Sequence, residues 1–233
     1  MSLILNIDTA TEQASVCLAD SGISLAVRLN TIQKDHATWL HAAIKEVMQD
    51  AKKDMREIKA VAITAGPGSY TGLRVGMASA KGLCYALNIP LILENTLYVM
   101  ANATVTQFNK RENVEGDVLI CPMIDARRME VFTAIYGWDL KEIAAPVAKE
   151  VENDFFMTFL NGGSILFVGS GILKAKTVLK NPKFLFYDLI YNGLHLAELT
   201  YEKYKNKQFS NLAYSEPIYI KEFYSTFKTT QIP

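Results

Sequence analysis

Apolar residues in this chain come first in short runs and then in a helical rhythm. Leu3 to Ile7, Ala14 to Ala19 and Ser24 to Leu29 are brief apolar segments, and the turn-formers Asp20, Ser21 and Gly22 separate the last two. They predict a three-stranded antiparallel meander. From about Asp35 to Lys52 the period changes: Leu40, Ile44, Val47 and Ala51 recur at three or four residues, while Lys45, Gln49 and Lys52 point away. That pattern predicts an amphipathic helix capped by Asp35. Lys59 to Ala65 is then an unbroken apolar run, as buried parallel strands are, and it enters a second helix through GPGSYTGLRVGMASAKG, Gly66 to Gly82. The helix is expected to stop near Asn88, which tolerates a left-handed cap, because Pro90 cannot continue it. A strand at Leu91 to Leu93 and a helix at Leu97 to Val105 complete a β-β-β-α-β-α-β-α order.

The plan recurs. LILNIDTATEQASVCLA (Leu3 to Ala19) lies without a gap on LICPMIDARRMEVFTAI (Leu119 to Ile135), which sets Asp8 on Asp125. SILFVGSG (Ser164 to Gly171) echoes AVAITAGPG (Ala60 to Gly68), each a buried strand running into Gly-x-Gly. Helical patterns near Glu150 to Leu160 and Leu194 to Lys207 flank strands at Ile165 to Val168 and Phe184 to Tyr187. The polar stretch Asn102 to Gly116 reads as the joint. The expected fold is α/β with two duplicated βββαβα lobes, residues 1–105 and 106–233, the last helix packing back on the first lobe.

Composition narrows the function classes. Half of the 233 residues are apolar, and 24 Lys plus Arg balance 24 Asp plus Glu, so there is no broad basic field to hold nucleic acid unaided. Cys17, Cys84 and Cys121 are scattered without a C-x-x-C pair and read as buried thiols in a reducing compartment. Asn6 and Asp8 break the first apolar run too early for a signal peptide or membrane helix, so a cytoplasmic protein is expected.

The glycine stretch fails each catalytic pattern by a necessary residue. Thr71 stands where G-x-G-x-x-G needs its third glycine, no Gly-Lys-Ser/Thr follows, and Ser69 is preceded by Gly68 and Pro67 rather than lying in G-x-S-x-G. A strand, a glycine turn and a helix start remain. Behind the turn, Gly72, Gly76, Ala80 and Cys84 recur every four residues and leave one helix face almost bare. Two readings stay open: the row packs on the chain's own sheet, or it admits a partner's helix, since side-chain size sets how closely helices approach. His36 and His41 lie five residues apart, roughly 140° around a helix, and His195 stands alone, so no metal centre is expected. Asp8, followed by Thr9 and Thr11, sits where folds of this topology hold a metal, yet it is also a good turn-former. Asp125 is followed by Ala126, Arg127 and Arg128, with no glycine to let a phosphate approach; the arginines suit acids or RNA phosphate.

The segments ILNIDTATEQASVCLA, GPGSYTGLRVGMASAKGLCYALNIPL, IDARRMEVFTAIY, VGSG and EPIYIKEF together resemble the TsaB family, also called YeaZ. The resemblance runs the length of the chain, is most specific from Gly66 to Pro90 and loosens after Gly137. It implies an actin-like ATPase (ribonuclease H-like) fold. It also implies a non-catalytic subunit, without a cofactor, in the bacterial machinery that makes threonylcarbamoyladenosine in tRNA. The implied partners are TsaD, which transfers the threonylcarbamoyl group to the adenosine beside the anticodon, and the ATPase TsaE. A homodimer of the isolated chain is implied too, and tRNA would be reached through the complex. In the family the first two helices meet TsaD, which implies contact residues His36, Leu40 and Ile44 on one and Gly72, Val75, Gly76, Ser79 and Ala80 on the other. Asp8, Thr9, Thr11, Gly66, Gly68, Asp125, Gly169 and Gly171 would be vestiges of phosphate and nucleotide loops. The rival reading is an independent actin-like kinase or ATPase, or a glycoprotease-like metallopeptidase, with a nucleotide or metal between the lobes.

Overall fold

Strands β1 (Leu3–Asp8), β2 (Ala14–Asp20) and β3 (Ile23–Asn30) form the meander, followed by α1 (His36–Asp50), β4 (Ala60–Gly66), α2 (Tyr70–Leu87), β5 (Leu91–Asn95) and α3 (Thr96–Asn109). The computed structural model describes residues 2–31, 36–109 and 117–221. Asp35, the expected cap of α1, lies outside them, as do residues 110–116 of the polar stretch at the joint. The first sheet has the order β3-β2-β1-β4-β5, with β1 antiparallel to β2 and parallel to β4. The second half repeats it: β6 (Val118–Asp125), β7 (Glu130–Tyr136), β8 (Glu142–Glu150), α4 (Asn153–Met157), β9 (Ser164–Val168), α5 (Ile172–Val178), β10 (Phe184–Tyr187) and α6 (Gly193–Lys205). Its sheet runs β8-β7-β6-β9-β10, the same order with β6 in the place of β1. This is the duplicated actin-like plan, and Asp8 and Asp125 end equivalent strands.

Local chemistry sets the α2 boundaries. The Ser69 hydroxyl accepts from the Gly72 N–H at its start, and Asn88 closes it at φ 52° while donating its N–H to the Cys84 and Tyr85 carbonyls. The apolar pattern assigns no range to β8 or α5. The first is an edge strand with no fully buried residue, and the second spans only seven residues, too few to show a helical period.

Helices cover both faces of the two sheets. One face of the first sheet packs on α1 and α2, through Leu5, Ile7, Leu40, Ile44, Ile63 and Met77. Helix α6, from the second half, covers its other face, where the Thr200 hydroxyl donates to the buried Asn6 Oδ1 at 2.6 Å. In exchange α3, from the first half, packs on the second sheet through Leu97 and Met100 against Ile120, Ile124 and Val168. The outer face of that sheet is closed by aromatic edges, with Phe156 and Phe167 5.1 Å apart. All three cysteines are buried, and burial pushes the thiols of Cys84 and Cys121 up to about 11 and about 12, far from nucleophilic thiolates. Among the described residues no helix is long and apolar enough to cross a membrane.

Candidate functional site

The carboxyl ends of β1 and β4 meet the second lobe at Asp8. The side chain is 1% exposed, and its Oδ1 accepts from the Ala10 N–H at 3.0 Å and the Thr64 hydroxyl at 2.8 Å. Burial pushes this carboxyl above its ordinary value, against those hydrogen bonds and the nearby His36. Tyr191 comes over from the second lobe. Its hydroxyl lies 3.4 Å from Thr11 Oγ1, and burial followed by the Asp8 charge pushes the phenol well above its ordinary range. His36 supports the same turn. With the Asn30 amide directed at Nδ1 (3.4 Å), the Nε2 proton is assigned toward the Thr11 carbonyl, 3.1 Å away. Protein groups therefore surround the acid on every side that these contacts define.

The glycines behind Asp8 admit that turn. A Cβ on Gly72 would run into the Thr9 carbonyl oxygen, and one on Gly76 into the Thr9 hydroxyl and to 2.8 Å from Ile63 Cδ1. Thr9 Oγ1 fills the space and donates to the Gly72 carbonyl at 2.8 Å. At Gly68 the Ala10 carbonyl approaches, accepting the Ser69 N–H at 2.7 Å, and Gly66 adopts φ 120° beneath Ile218. The bare row Gly72, Gly76, Ala80 and Cys84 is thus buried against β1 and β4, so of its two readings the chain's own sheet holds.

That placement sets six of the eight residues expected at a partner contact inside the chain's own core. His36, Leu40 and Ile44 point inward from α1, and Gly72, Gly76 and Ala80 inward from α2, because the apolar stripe of each helix covers the sheet. Val75 and Ser79 are half-buried along the seam between the helices, where Ser79 Oγ lies 3.5 Å from His41 Nε2. Beside them Thr71, Ala78, Gly82 and Ala86 are exposed, and nothing lies within 4 Å of a Cβ built on Gly82. Helix α2 carries two rows of small residues, one inward and one outward.

The equivalent positions in the second lobe are also occupied. Asp125 is exposed and pairs with Lys174 at 2.9 Å, while Arg127 and Arg128 turn the chain in left-handed conformations, at φ 67° and 50°. Met100 and Met123 crowd Gly169, and Met123 and Val131 crowd Gly171. A cavity of about 310 Å³ remains between the lobes, bounded by Thr11, Gln13, Ser170, Lys176 and Asp188. Among the described residues no three of His, Cys, Asp and Glu gather into a metal-binding set.

One feature of the site escaped the apolar pattern, because it has no period. After α6 the chain crosses back as an irregular strap: Ser210 N–H bonds the Leu91 carbonyl, Ile218 N–H bonds the Ala65 carbonyl at 2.7 Å, and Lys221 pairs with Glu130 of the other lobe. The strap lies along the flank of α2.

Comparisons with known proteins agree with this geometry. The family model described as TsaD, tRNA N6-adenosine threonylcarbamoyltransferase, matches residues 30–218. The tRNA threonylcarbamoyladenosine biosynthesis protein TsaB of Escherichia coli is 30% identical over 174 residues, which cover 72% of this chain and 71% of the relative. TsaB of Bacillus subtilis is 31% identical over 135 residues, 58% of this chain and just over half, 55%, of the relative's length. Among solved structures, YeaZ from Pseudomonas aeruginosa superposes with a TM-score of 0.80 at 21% identity, covering 94% of this chain and all of that one. An inorganic polyphosphate/ATP-glucomannokinase from Arthrobacter shares the fold at a TM-score of 0.50 and 12% identity, covering 87% of this chain and 99% of that one. The chain belongs to the TsaB (YeaZ) family of tRNA threonylcarbamoyladenosine biosynthesis proteins, within the wider family that the TsaD model describes.

Proposed function

We propose that this chain is a non-catalytic partner and activator subunit of the complex that adds threonylcarbamoyl to the adenosine beside the anticodon of tRNA. In it the chain pairs with TsaD, is joined by TsaE, and works in the cytoplasm. The observation that carries the non-catalytic reading is the enclosure of Asp8. An acid that served a metal-bound nucleotide would need an open side, and here Thr64, Ala10, His36 and Tyr191 surround it. In the second lobe Lys174 already holds Asp125. A shared fold does not restore chemistry that its residues have lost.

The docking face is the outward side of the α1–α2 pair, around Val75, Ala78, Ser79 and Gly82, with His41 across the seam. Small side chains there let a facing helix approach closely. The same face would join two copies when the chain is alone. Residues 1–105 and 106–233 act as two lobes held in one arrangement by the exchanged helices α3 and α6, rather than as a clamp that closes on a nucleotide.

Reconstitution tests this. The purified chain is expected neither to hydrolyse ATP nor to modify tRNA by itself, and to restore modification when added to TsaD and TsaE. ATP turnover by the isolated chain near the usual enzymatic range, about 1 s⁻¹ or faster, would favour the independent-enzyme reading instead.

A further inference from the structure

At roughly 100° per residue, Tyr70, Arg74, Lys81 and Tyr85 fall within about 60° of one another on α2 and run about 22 Å along it. This third face is neither the buried row nor the proposed docking face. The strap extends it sideways. The Arg74 guanidinium lies 4.0 Å over the Tyr70 ring and donates to the Tyr219 hydroxyl at 3.0 Å, and the two rings are 5.3 Å apart. Lys81 donates to the Ala213 and Ser215 carbonyls at 3.1 and 2.9 Å, which sets Tyr214 beside it. Tyr85 and Tyr214 are 83% and 84% exposed, so neither ring is retained for packing.

Charge completes the picture. Arg74 and Lys81 are held by rings, a hydroxyl and carbonyls, and among the described residues neither forms an ion pair with a carboxylate. The strap's own acid, Glu216, is exposed and directly follows Ser215. The strip therefore offers two positive charges fixed in place, one stacked on Tyr70 and one between Tyr85 and Tyr214, whose rings stand open to solvent. Exposed aromatic rings interleaved with cations form the surface on which unpaired bases stack while phosphates are neutralised.

We propose that the strip of Tyr70, Arg74, Lys81, Tyr85, Tyr214 and Tyr219 binds a single-stranded RNA segment, stacking bases on the tyrosines and placing phosphates against the two cations. The inference rests on the tRNA reading above, and it names direct RNA contact as this chain's own contribution. A protein partner is the alternative that the strip's tyrosines and arginine would also suit.

The test uses the full chain by fluorescence anisotropy at low salt, with a labelled single-stranded RNA of about 12 nucleotides, within the site sizes of such surfaces. A duplex of the same length serves as control. The double variant Tyr85→Ala with Tyr214→Ala leaves the fold intact because both rings are exposed, and it is expected to weaken single-strand binding at least about fivefold. Lys81→Gln should lower affinity and flatten its salt dependence, and the duplex should bind more weakly than the single strand. TsaD pairing, measured on the same variants, should not change. Absent binding by the wild-type chain, or equal binding by the tyrosine variant, overturns the proposal. So does loss of TsaD or TsaE pairing with RNA affinity unchanged, which would assign the strip to a protein. Because RNA binding is read without the modification reaction, a chain that binds RNA through the strip yet fails to restore modification would refute the subunit reading and leave this one standing.

Discussion

Glycine at position 76 and glycine at position 82 share one helix and differ only in what stands opposite. A Cβ on Gly76 meets Thr9 and Ile63, whereas one on Gly82 meets nothing within 4 Å. Gly76→Leu is therefore expected to lower the unfolding free energy by about 3 kcal/mol or more, the upper end of overpacking costs, since the Thr9 turn cannot move away without uncovering Asp8. Gly82→Leu should leave the thermal midpoint unchanged or raise it, because leucine is the better helix former by up to about 1 kcal/mol. Its effect should appear in TsaD pairing, which a leucine on the close-approach face would abolish. Thermal melts and a pull-down on the two variants check both statements. Loss of pairing with intact stability for Gly76→Leu would move the docking face back to the inward row. The sequence holds both glycines in plain view, but their periods are alike, so only the position of the sheet tells inward from outward.

At the scale of elements, much of the fold was readable and the site only in part. Strand β4 announces itself because both its faces are buried and its apolar run is unbroken, β1 because its short apolar run ends on Asp8, and Asn88 with Pro90 fixed the end of α2. The duplication was visible because Asp8 and Asp125 close equivalent strands without a gap. The inward direction of His36 was not legible, because a lone histidine at a helix start carries no periodic signal; it meets the Thr11 carbonyl across 25 residues. The strap was missed for the same reason, being fixed by backbone carbonyls rather than by an apolar pattern. Its attachment is testable by hydrogen exchange. Lys81→Met removes two charge-assisted bonds on a half-exposed side chain, for a cost of about 1 kcal/mol after solvent screening. Amide exchange of Ile218, whose N–H bonds the Ala65 carbonyl, should speed up roughly fivefold while that of β1 stays as it was. Faster exchange throughout the first sheet would mean that the strap supports the lobe itself.

Asp8 is buried where the two lobes meet, and that burial gives the stability of the whole molecule a particular dependence on pH. Burial raises the Asp8 carboxyl above the ordinary value that it has in the unfolded chain, about 3.9. The folded state then binds this proton more tightly than the unfolded one, so the contribution to stability is fully present below that ordinary value. It declines as pH rises through the folded value, and is flat above it. Asp8→Asn keeps an acceptor for the Ala10 N–H and the Thr64 hydroxyl but has nothing to ionise. Thermal midpoints of the two proteins should nearly coincide at about pH 4 and separate as pH rises, with the asparagine variant the more stable at pH 8; groups that do not face Asp8 are common to both and cancel, and Tyr191, whose phenol feels the Asp8 charge, stays protonated over this range. A separation that did not change with pH would show that the carboxylate is neutralised in place, and the enclosure of Asp8 would then be no obstacle to a charge. If the variant is both more stable at neutral pH and still active in the reconstituted complex, the acid contributes nothing that the subunit uses. Loss of activity without loss of stability would instead return Asp8 to the list of working residues and reopen the case for chemistry between the lobes.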